Sequence, residues 1–309
     1  MALKGLHHIH LRARDLPASL AFAQDFGLIE AGRQDGRVYL RGTGEAAYHV
    51  VLEAAETSGL VGIAFLADGE EDQKAAIRHH GASELRSLEG PGGGQAVTMR
   101  DPEGNEVHLV LGIAPREPDP LAPGRIHNHG LERPRRGVTQ AKAPLGPPQL
   151  IRLGHVGLFV RDMVACDRWY RDVLGLLPSD LMYAGDQSHV VAGFYRLNRG
   201  DDWVDHHTVA FFGMGKSEIH HASFEVQDSE VQFVGHRWMQ QHGHDSVWGV
   251  GRHPKGSHVF DVWRDPNGFR FETFSDTDLC TADQPADVFP IQEAVMDLWS
   301  DRSHEDYFA

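Results

Sequence analysis

Apolar and polar residues alternate in short stretches along the second half of the chain, with turn-forming residues between them. Asp162 precedes a segment with apolar residues at helical spacing, so we expect it to cap a helix there. Five stretches have the period of two that is typical of β-strands: residues 151–160, 206–212, 220–226, 259–263 and 270–274. This pattern predicts the order β-α-β-β-β and a curved, mostly antiparallel sheet.

Two further segments do not follow the strand pattern. Residues 114–149 are rich in proline and show no periodicity, which predicts an extended connector. Residues 276–309 follow the last predicted strand and form a tail, in which residues 291–299 are predicted to be helical.

The chain contains an internal repeat. Residues 6–28 align with residues 153–176, which places His8 on His155, and residues 60–68 align with residues 219–228. The segment MRDPEGNEVHLV aligns with WRDPNGFRFETF and shares its RDPxG turn. Three blocks in the same order indicate a duplicated module of roughly 110–130 residues. We therefore predict a first module, a connector, a second module and a tail, in residues 1–113, 114–149, 150–275 and 276–309.

Composition narrows the classes of function. Lys and Arg number 29 against 44 Asp and Glu, and the net charge of −15 argues against a nucleic-acid partner. Apolar runs are too short for a membrane span. Cys166 and Cys280 cannot form a disulfide framework, so a reducing cytoplasm is expected. The 21 histidines favour metal or pH-linked chemistry.

Three ligand-capable side chains lie within predicted strands of the second half: His155, His221 and Glu272. Strand alternation places each on a face that also carries polar neighbours. Two neutral imidazoles and one carboxylate make up the facial set of non-haem Fe(II) enzymes, which leaves positions open for substrate and O2. The aligned residues of the first half are His8, Gly62 and His108. Since the repeat does not retain the set, a chemical role in the second half is favoured.

The chain resembles the type I extradiol catechol dioxygenases of the vicinal oxygen chelate superfamily, over both modules. Four blocks carry the resemblance: GHVGLFVRD, VDHHTVAF, EIHHASFEVQD and GVGRHPKGSHVFDVWRDPNGFRFETFSDTD. It implies a two-domain α+β fold of tandem βαβββ modules with curved sheets, of which the first is degenerate. It also implies that O2 cleaves a catecholic ring next to its vicinal hydroxyls, and that the chain forms a homo-oligomer.

The resemblance also implies roles for individual residues. His155, His221 and Glu272 match the ligands of Fe(II), or of Mn(II) as in some relatives. His207, the second histidine of the HHTVAF block, matches the histidine that faces bound O2. His253, in GRHP, matches a histidine near the substrate hydroxyl.

One position departs from the family, and two other functions stay open. Members of the family carry a tyrosine ten residues before the glutamate ligand, where this chain has Val262. Another group, such as Tyr195, is expected to replace it unless the substrate differs. The alternatives are a non-redox metalloenzyme of the glyoxalase or epimerase type and a binding protein that sequesters its ligand.

Overall fold

The computed structural model describes residues 1–302 and residue 307. The first half begins with a long strand and contains ten elements: β1 (Leu3–Ala13), α1 (Leu16–Phe26), β2 (Ile29–Gln34), β3 (Arg37–Arg41), β4 (Val50–Ala54), β5 (Gly59–Ala67), α2 (Glu70–His80), β6 (Arg86–Ser87), β7 (Gln95–Arg100) and β8 (Glu106–Leu111). A stretch without helices or strands follows, in the region of the predicted connector.

The second half repeats this order, with additional short elements. It contains β9 (Leu153–Val160), α3 (Met163–Asp172), β10 (Leu177–Tyr183), β11 (Val190–Arg196), β12 (Val204–Asp205), β13 (Val209–Gly213), β14 (Glu218–Glu225), α4 (Ser229–Gln241), β15 (Asp245–Arg252), β16 (Val259–Arg264), β17 (Arg270–Ser275), β18 (Leu279–Cys280), β19 (Asp287–Pro290) and a 3-10 turn at Ile291–Glu293. The expected α+β fold of tandem βαβββ modules is confirmed. Each half holds two such units, where the hydrophobic pattern predicts one.

Each half builds one large mixed sheet around its first strand. The first sheet has the order β2-β3-β4-β1-β5-β8-β7-β6, and the second has the order β15-β16-β17-β14-β9-β13-β11-β10-β19. In the second sheet β14 is antiparallel to β9 and parallel to β17. Three adjacent strands, β9, β14 and β17, therefore form the centre of this sheet.

Helix starts are fixed by the aspartates that the repeat aligns. Asp15 accepts a hydrogen bond from the backbone N–H of Ala18 at 3.0 Å, and Asp162 accepts one from that of Ala165 at 2.9 Å. Each bond satisfies a donor that the first helical turn leaves without a partner. The prediction that Asp162 caps a helix is confirmed.

The two halves share one hydrophobic core. Phe22 and Phe26 of α1 pack against Phe271 of β17, with ring centroids 5.5 and 5.6 Å apart. Phe26 also contacts Phe224 of β14, with centroids 6.0 Å apart. The first half thus supports the back of the strands that form the centre of the second sheet.

The prediction of a helix at residues 291–299 is wrong beyond the first turn, because only Ile291–Glu293 form a 3-10 turn. The backbone N–H of Leu298 bonds to the carbonyl of Arg252 at 2.8 Å, and Asp297 accepts the backbone N–H of Arg252 at 2.9 Å. The tail therefore hydrogen-bonds to β15 instead of coiling on itself. Both cysteines are free and buried, and no helix among the described residues is long and apolar enough to span a membrane.

Candidate metal centre

Three neighbouring strands bring the predicted ligand set together. His155 lies in β9, His221 in β14 and Glu272 in β17, and one ligand atom of each lies within 4.8 Å of the other two. The register explains this, since Ser223 of β14 pairs with His155 on one side and with Glu272 on the other. All three side chains are buried.

Glycine at position 157 makes room for one of these imidazoles. Gly157 of β9 pairs directly with His221 of β14. A Cβ atom at Gly157 would lie 2.5 Å from both Cε1 and Nδ1 of the His221 ring. Real side chains do not approach so closely, so the glycine is needed for the ring to lie across β9.

Hydrogen bonds hold the carboxylate and the imidazole from behind. Ser223 Oγ donates to Glu272 Oε1 at 2.6 Å, and the same oxygen lies 3.2 Å from His155 Nε2. His221 Nδ1 lies 2.6 Å from Nδ1 of His220. The Nε2 atom of His220 in turn accepts a hydrogen bond from the Arg270 guanidinium at 2.9 Å. Partners of this kind orient the side chains that bind metals.

The local electrostatics favour the protonation states that metal ligands need. Burial lowers the pKa of His221 to about 3, so its imidazole is neutral at ordinary pH. Burial acts to raise the pKa of Glu272, but the neighbouring His221 and His155 outweigh it and hold that pKa well below its usual range. A neutral imidazole and an ionised carboxylate are the forms that coordinate cations.

A further pair of histidines lies on the other side of His155. The ring of His207 lies 4.2 Å from that of His155, and the ring of His258 lies 5.4 Å from it. One nitrogen from each of the three also lies within 4.8 Å of the others, so His155, His207 and His258 form a second candidate cluster. Burial lowers the pKa values of His207 and His258 well below the usual range. Sequence reasoning missed His258, although it lies inside the GRHPKGSH block, just before β16.

The two consecutive histidines of the HHTVAF block face different surroundings. His207 lies beside His155, whereas His206 Nε2 lies 3.1 Å from Asp180 Oδ2. The two rings contact each other through their Nδ1 atoms at 3.2 Å. His206 therefore links His207 to a carboxylate that sequence reasoning did not identify.

Six histidines line one cavity of about 230 Å³: His155, His206, His207, His221, His253 and His258. His253 lies in its wall, stacked on Phe260 at 3.9 Å, and its Nδ1 lies 2.7 Å from the carbonyl of Met296. Burial lowers the pKa of His253. Much of the rest of the wall is apolar and comes from β10, β11 and the tail: Met182, Phe194, Phe289, Met296 and Leu298. Asp180, Lys255 and Glu293 also line the cavity. A wall that combines imidazoles with apolar side chains suits a small aromatic ligand with polar substituents.

Comparison with known proteins now identifies the family. The model of the Glyoxalase/Bleomycin resistance protein/Dioxygenase superfamily matches residues 5–109 and 152–273, which is more than half of the chain. The chain belongs to this superfamily. Metapyrocatechase 2 of Cupriavidus necator is 29% identical over 308 residues, covering 95% of this chain and 88% of that protein.

Solved structures share the fold of this chain. Homoprotocatechuate 2,3-dioxygenase of Arthrobacter globiformis superposes with a TM-score of 0.79 at 17% identity, over 100% of this chain and 91% of that one. The Mn(II)-bound glyoxalase of Novosphingobium aromaticivorans superposes with a TM-score of 0.78 at 23% identity, over 98% and 92% of the two chains. At these identities the likeness establishes the architecture alone.

This chain has Val262 at the position where the resemblance implies a tyrosine, and Tyr195 does not take the place of that tyrosine. Its hydroxyl donates to Asp167 of α3 at 2.7 Å, and Tyr195 is absent from the cavity wall. The suggestion that Tyr195 takes that place is therefore wrong. The phenol in the cavity wall belongs to Tyr307, whose hydroxyl donates to Glu272 Oε2 at 3.3 Å. Sequence reasoning missed it because it lies 35 residues after Glu272, in the tail.

Proposed function

We propose that the protein is an extradiol ring-cleaving dioxygenase, an oxidoreductase of the catechol 2,3-dioxygenase type. It would add O2 to a catecholic aromatic next to its vicinal hydroxyls. The observation that carries the proposal is the convergence of His155, His221 and Glu272 beside a largely apolar cavity that both histidines line. The 29% identity to a metapyrocatechase over almost the whole chain supports the same reaction class.

We assign His155, His221 and Glu272 as the residues that hold the cation, which we propose to be Fe(II), with Mn(II) as the alternative. The donor set fits, because two neutral imidazoles and one carboxylate supply a single negative charge and occupy one side of the coordination sphere. When bound, such a cation lowers the pKa of the diol hydroxyls and brings the diol and O2 together.

His253 is suited to accept a proton from a substrate hydroxyl. Its Nδ1 faces the carbonyl of Met296, which can only accept, so Nδ1 carries the proton in the neutral ring. Nε2 then has a free lone pair. Since burial keeps the ring neutral, this nitrogen can take a proton as the substrate binds.

His207 is suited to hold and return a proton beside the reacting atoms. Its Nδ1 contacts His206, which leaves Nε2 as its second proton-binding atom. Burial lowers its pKa, so the ring begins neutral and can accept a proton and later donate it. The apolar walls restrict water near this position.

A redox-inert metalloenzyme of the glyoxalase type is the second candidate. The cluster of His155, His207 and His258 favours it, because three imidazoles are a known ligand set for catalytic zinc. A binding protein that only sequesters its ligand is disfavoured, because such a protein has no need for two buried imidazoles beside a buried carboxylate.

Anaerobic reconstitution with Fe(II), followed by oxygen uptake across a panel of catechols and hydroquinones, tests the proposal. We expect one ferrous ion per chain and one O2 consumed per ring cleaved. Glu272→Gln should lose the bound iron, whereas His108→Gln, at the aligned position of the first module, should keep it. Turnover of thiol adducts by the zinc or nickel form without oxygen uptake would establish the glyoxalase alternative instead.

We also propose that the chain forms a homo-oligomer in a reducing cytoplasm. Two free, buried cysteines are compatible with that compartment. Trp203 and Phe233 are 67% and 54% exposed, which is unusual for aromatic side chains and suits a contact surface. Light scattering of the purified protein would measure the assembly, and a monomer at micromolar concentration would contradict it.

A further inference from the structure

The tail places a phenol in the wall of the metal-centre cavity. Tyr307 is 2% exposed and lines the same cavity as His221 and His253. Its hydroxyl lies 3.3 Å from Glu272 Oε2, which is long for a bond between a hydroxyl and a carboxylate. A stronger acceptor placed nearby can therefore take over this donor at little cost.

Tyr307 is held by contacts on both its backbone and its ring. Arg270 Nη1 donates to the backbone carbonyl of Tyr307 at 2.6 Å. The ring packs against His220 and Trp248, with centroids 5.0 and 5.9 Å away. Since Arg270 precedes Glu272 by two residues in β17, one strand fixes both the carboxylate and the phenol beside it.

The phenol packs in one cluster with the small, apolar side chain of residue 262. Val262 of β16 pairs directly with Glu272 of β17, so the two side chains point to the same face of the sheet. Val262, Trp248, Phe260 and Tyr307 belong to one apolar cluster. The valine contributes no polar atom, and the ring of Tyr307 packs in the same cluster while its hydroxyl reaches Glu272.

This position is within reach of a ligand oxygen on the same cation. A cation held by Glu272 would bring a substrate oxygen next to this carboxylate. A substrate oxygen next to the Glu272 carboxylate would then lie close to the Tyr307 hydroxyl. Among the described residues of the cavity wall, Tyr307 is the only tyrosine.

We infer that Tyr307 donates a hydrogen bond to a hydroxyl oxygen of the bound substrate and that the tail supplies this phenol beside Val262. The inference rests on the proposed dioxygenase function. It assigns the tail a direct part in substrate binding, in addition to covering the cavity.

The test measures binding without turnover. Protein loaded with Fe(II) is titrated anaerobically with 4-nitrocatechol, whose absorbance reports binding and ionisation. Tyr307→Phe keeps the ring and removes only the hydroxyl, and we expect its Kd to rise about tenfold or more. Tyr195→Phe is the matched control, because it removes a buried hydroxyl of the same half that bonds to Asp167 outside the cavity. Its Kd should match that of the unchanged protein.

A second experiment removes the tyrosine from the tail and introduces one in β16, at position 262. Tyr307→Ala should weaken binding of 4-nitrocatechol, and adding Val262→Tyr to that variant should restore at least part of the affinity. An unchanged Kd in Tyr307→Phe would overturn the inference alone. Loss of iron from Tyr307→Phe would also overturn it, because the hydroxyl would then serve Glu272 and not the substrate. Failure of the unchanged protein to bind 4-nitrocatechol would overturn the proposed function as well.

Discussion

The two modules use the same strands but invert one pair of residues. In the second module, the imidazole of His221 on β14 lies across Gly157 on β9. In the first module, the corresponding pair is Gly62 on β5 and His10 on β1. The histidine of this pair therefore lies on the first strand of the first module and the glycine on the neighbouring strand, the reverse of the second module. A single exchange of this kind decides whether the neighbouring strand can offer a ligand.

The inversion is fixed by packing in the first module. A Cβ atom at Gly62 would lie 2.4 Å from the backbone oxygen of Glu106, so no side chain fits there without a shift of β8. The remaining imidazoles have separate partners. His10 Nε2 lies 3.2 Å from Glu53, and His108 Nδ1 lies 2.8 Å from Thr98 Oγ1. Within the described residues, both candidate ion clusters belong to the second module. Buried histidines alone do not make a metal centre, because their nitrogens must also converge.

The largest effect is expected from removing the proton-binding group beside the proposed metal centre. His207→Phe keeps a flat ring but cannot hold a proton, so turnover should fall by about 10²- to 10⁴-fold. Metal content and anaerobic binding of 4-nitrocatechol should be retained. Oxygen uptake under saturating substrate measures the loss.

The aligned position of the first module supplies its control. The parallel registers of β4 with β1 and of β13 with β9 place Tyr48 where the second module has His207. Tyr48→Phe should leave oxygen uptake unchanged. Full activity in His207→Phe would remove this residue from the reaction.

A smaller effect should follow from filling the glycine on β9. In Gly157→Ala the new methyl group meets the His221 ring, which must shift from its place beside His155 and Glu272. We expect iron affinity to fall by about ten- to a hundredfold, as for other changes that disturb ligand orientation. Competition with a chelator measures the affinity.

Gly5→Ala is the matched change, since Gly5 lies in β1 with open space around its Cα. Its iron affinity should stay the same. Equal affinity in Gly157→Ala would show that the inverted pair does not determine which module binds metal.

Sequence reasoning recovered what is periodic and local. Strand alternation and the repeat identified β9, β14 and β17, and the turn before Glu272 fixed its position along β17. The parts it missed depend on contacts between distant segments. Tyr307 is held at the cavity by Arg270 and by the ring cluster around Trp248, which are distant along the chain. The prediction of a helix at residues 291–299 failed for the same reason, because beyond its first turn this segment hydrogen-bonds to β15 instead of continuing a helix.

The first module should make stability depend on pH through its buried histidines. Burial lowers the pKa of His7 and of His108 to about 3, and that of His49 to about 4. In the unfolded chain an imidazole titrates near its ordinary value, about 6.5, so below that pH unfolding takes up protons. Above about pH 6.5 the protonation of these histidines therefore does not change the free energy of unfolding. As the pH falls toward 4, it lowers that free energy increasingly.

Removing one of these imidazoles should reduce that dependence. Each buried histidine contributes about 1.4 kcal/mol per pH unit to the slope of the unfolding free energy in this window. Urea unfolding of metal-free His108→Leu between pH 6 and pH 4.5 should show a slope smaller by about that amount. His127→Leu, an exposed residue of the connector, should show the slope of the unchanged protein. An unchanged slope in His108→Leu would mean that this imidazole is protonated in the folded state, and that the first module tolerates a buried charge where the second module needs neutral ligands.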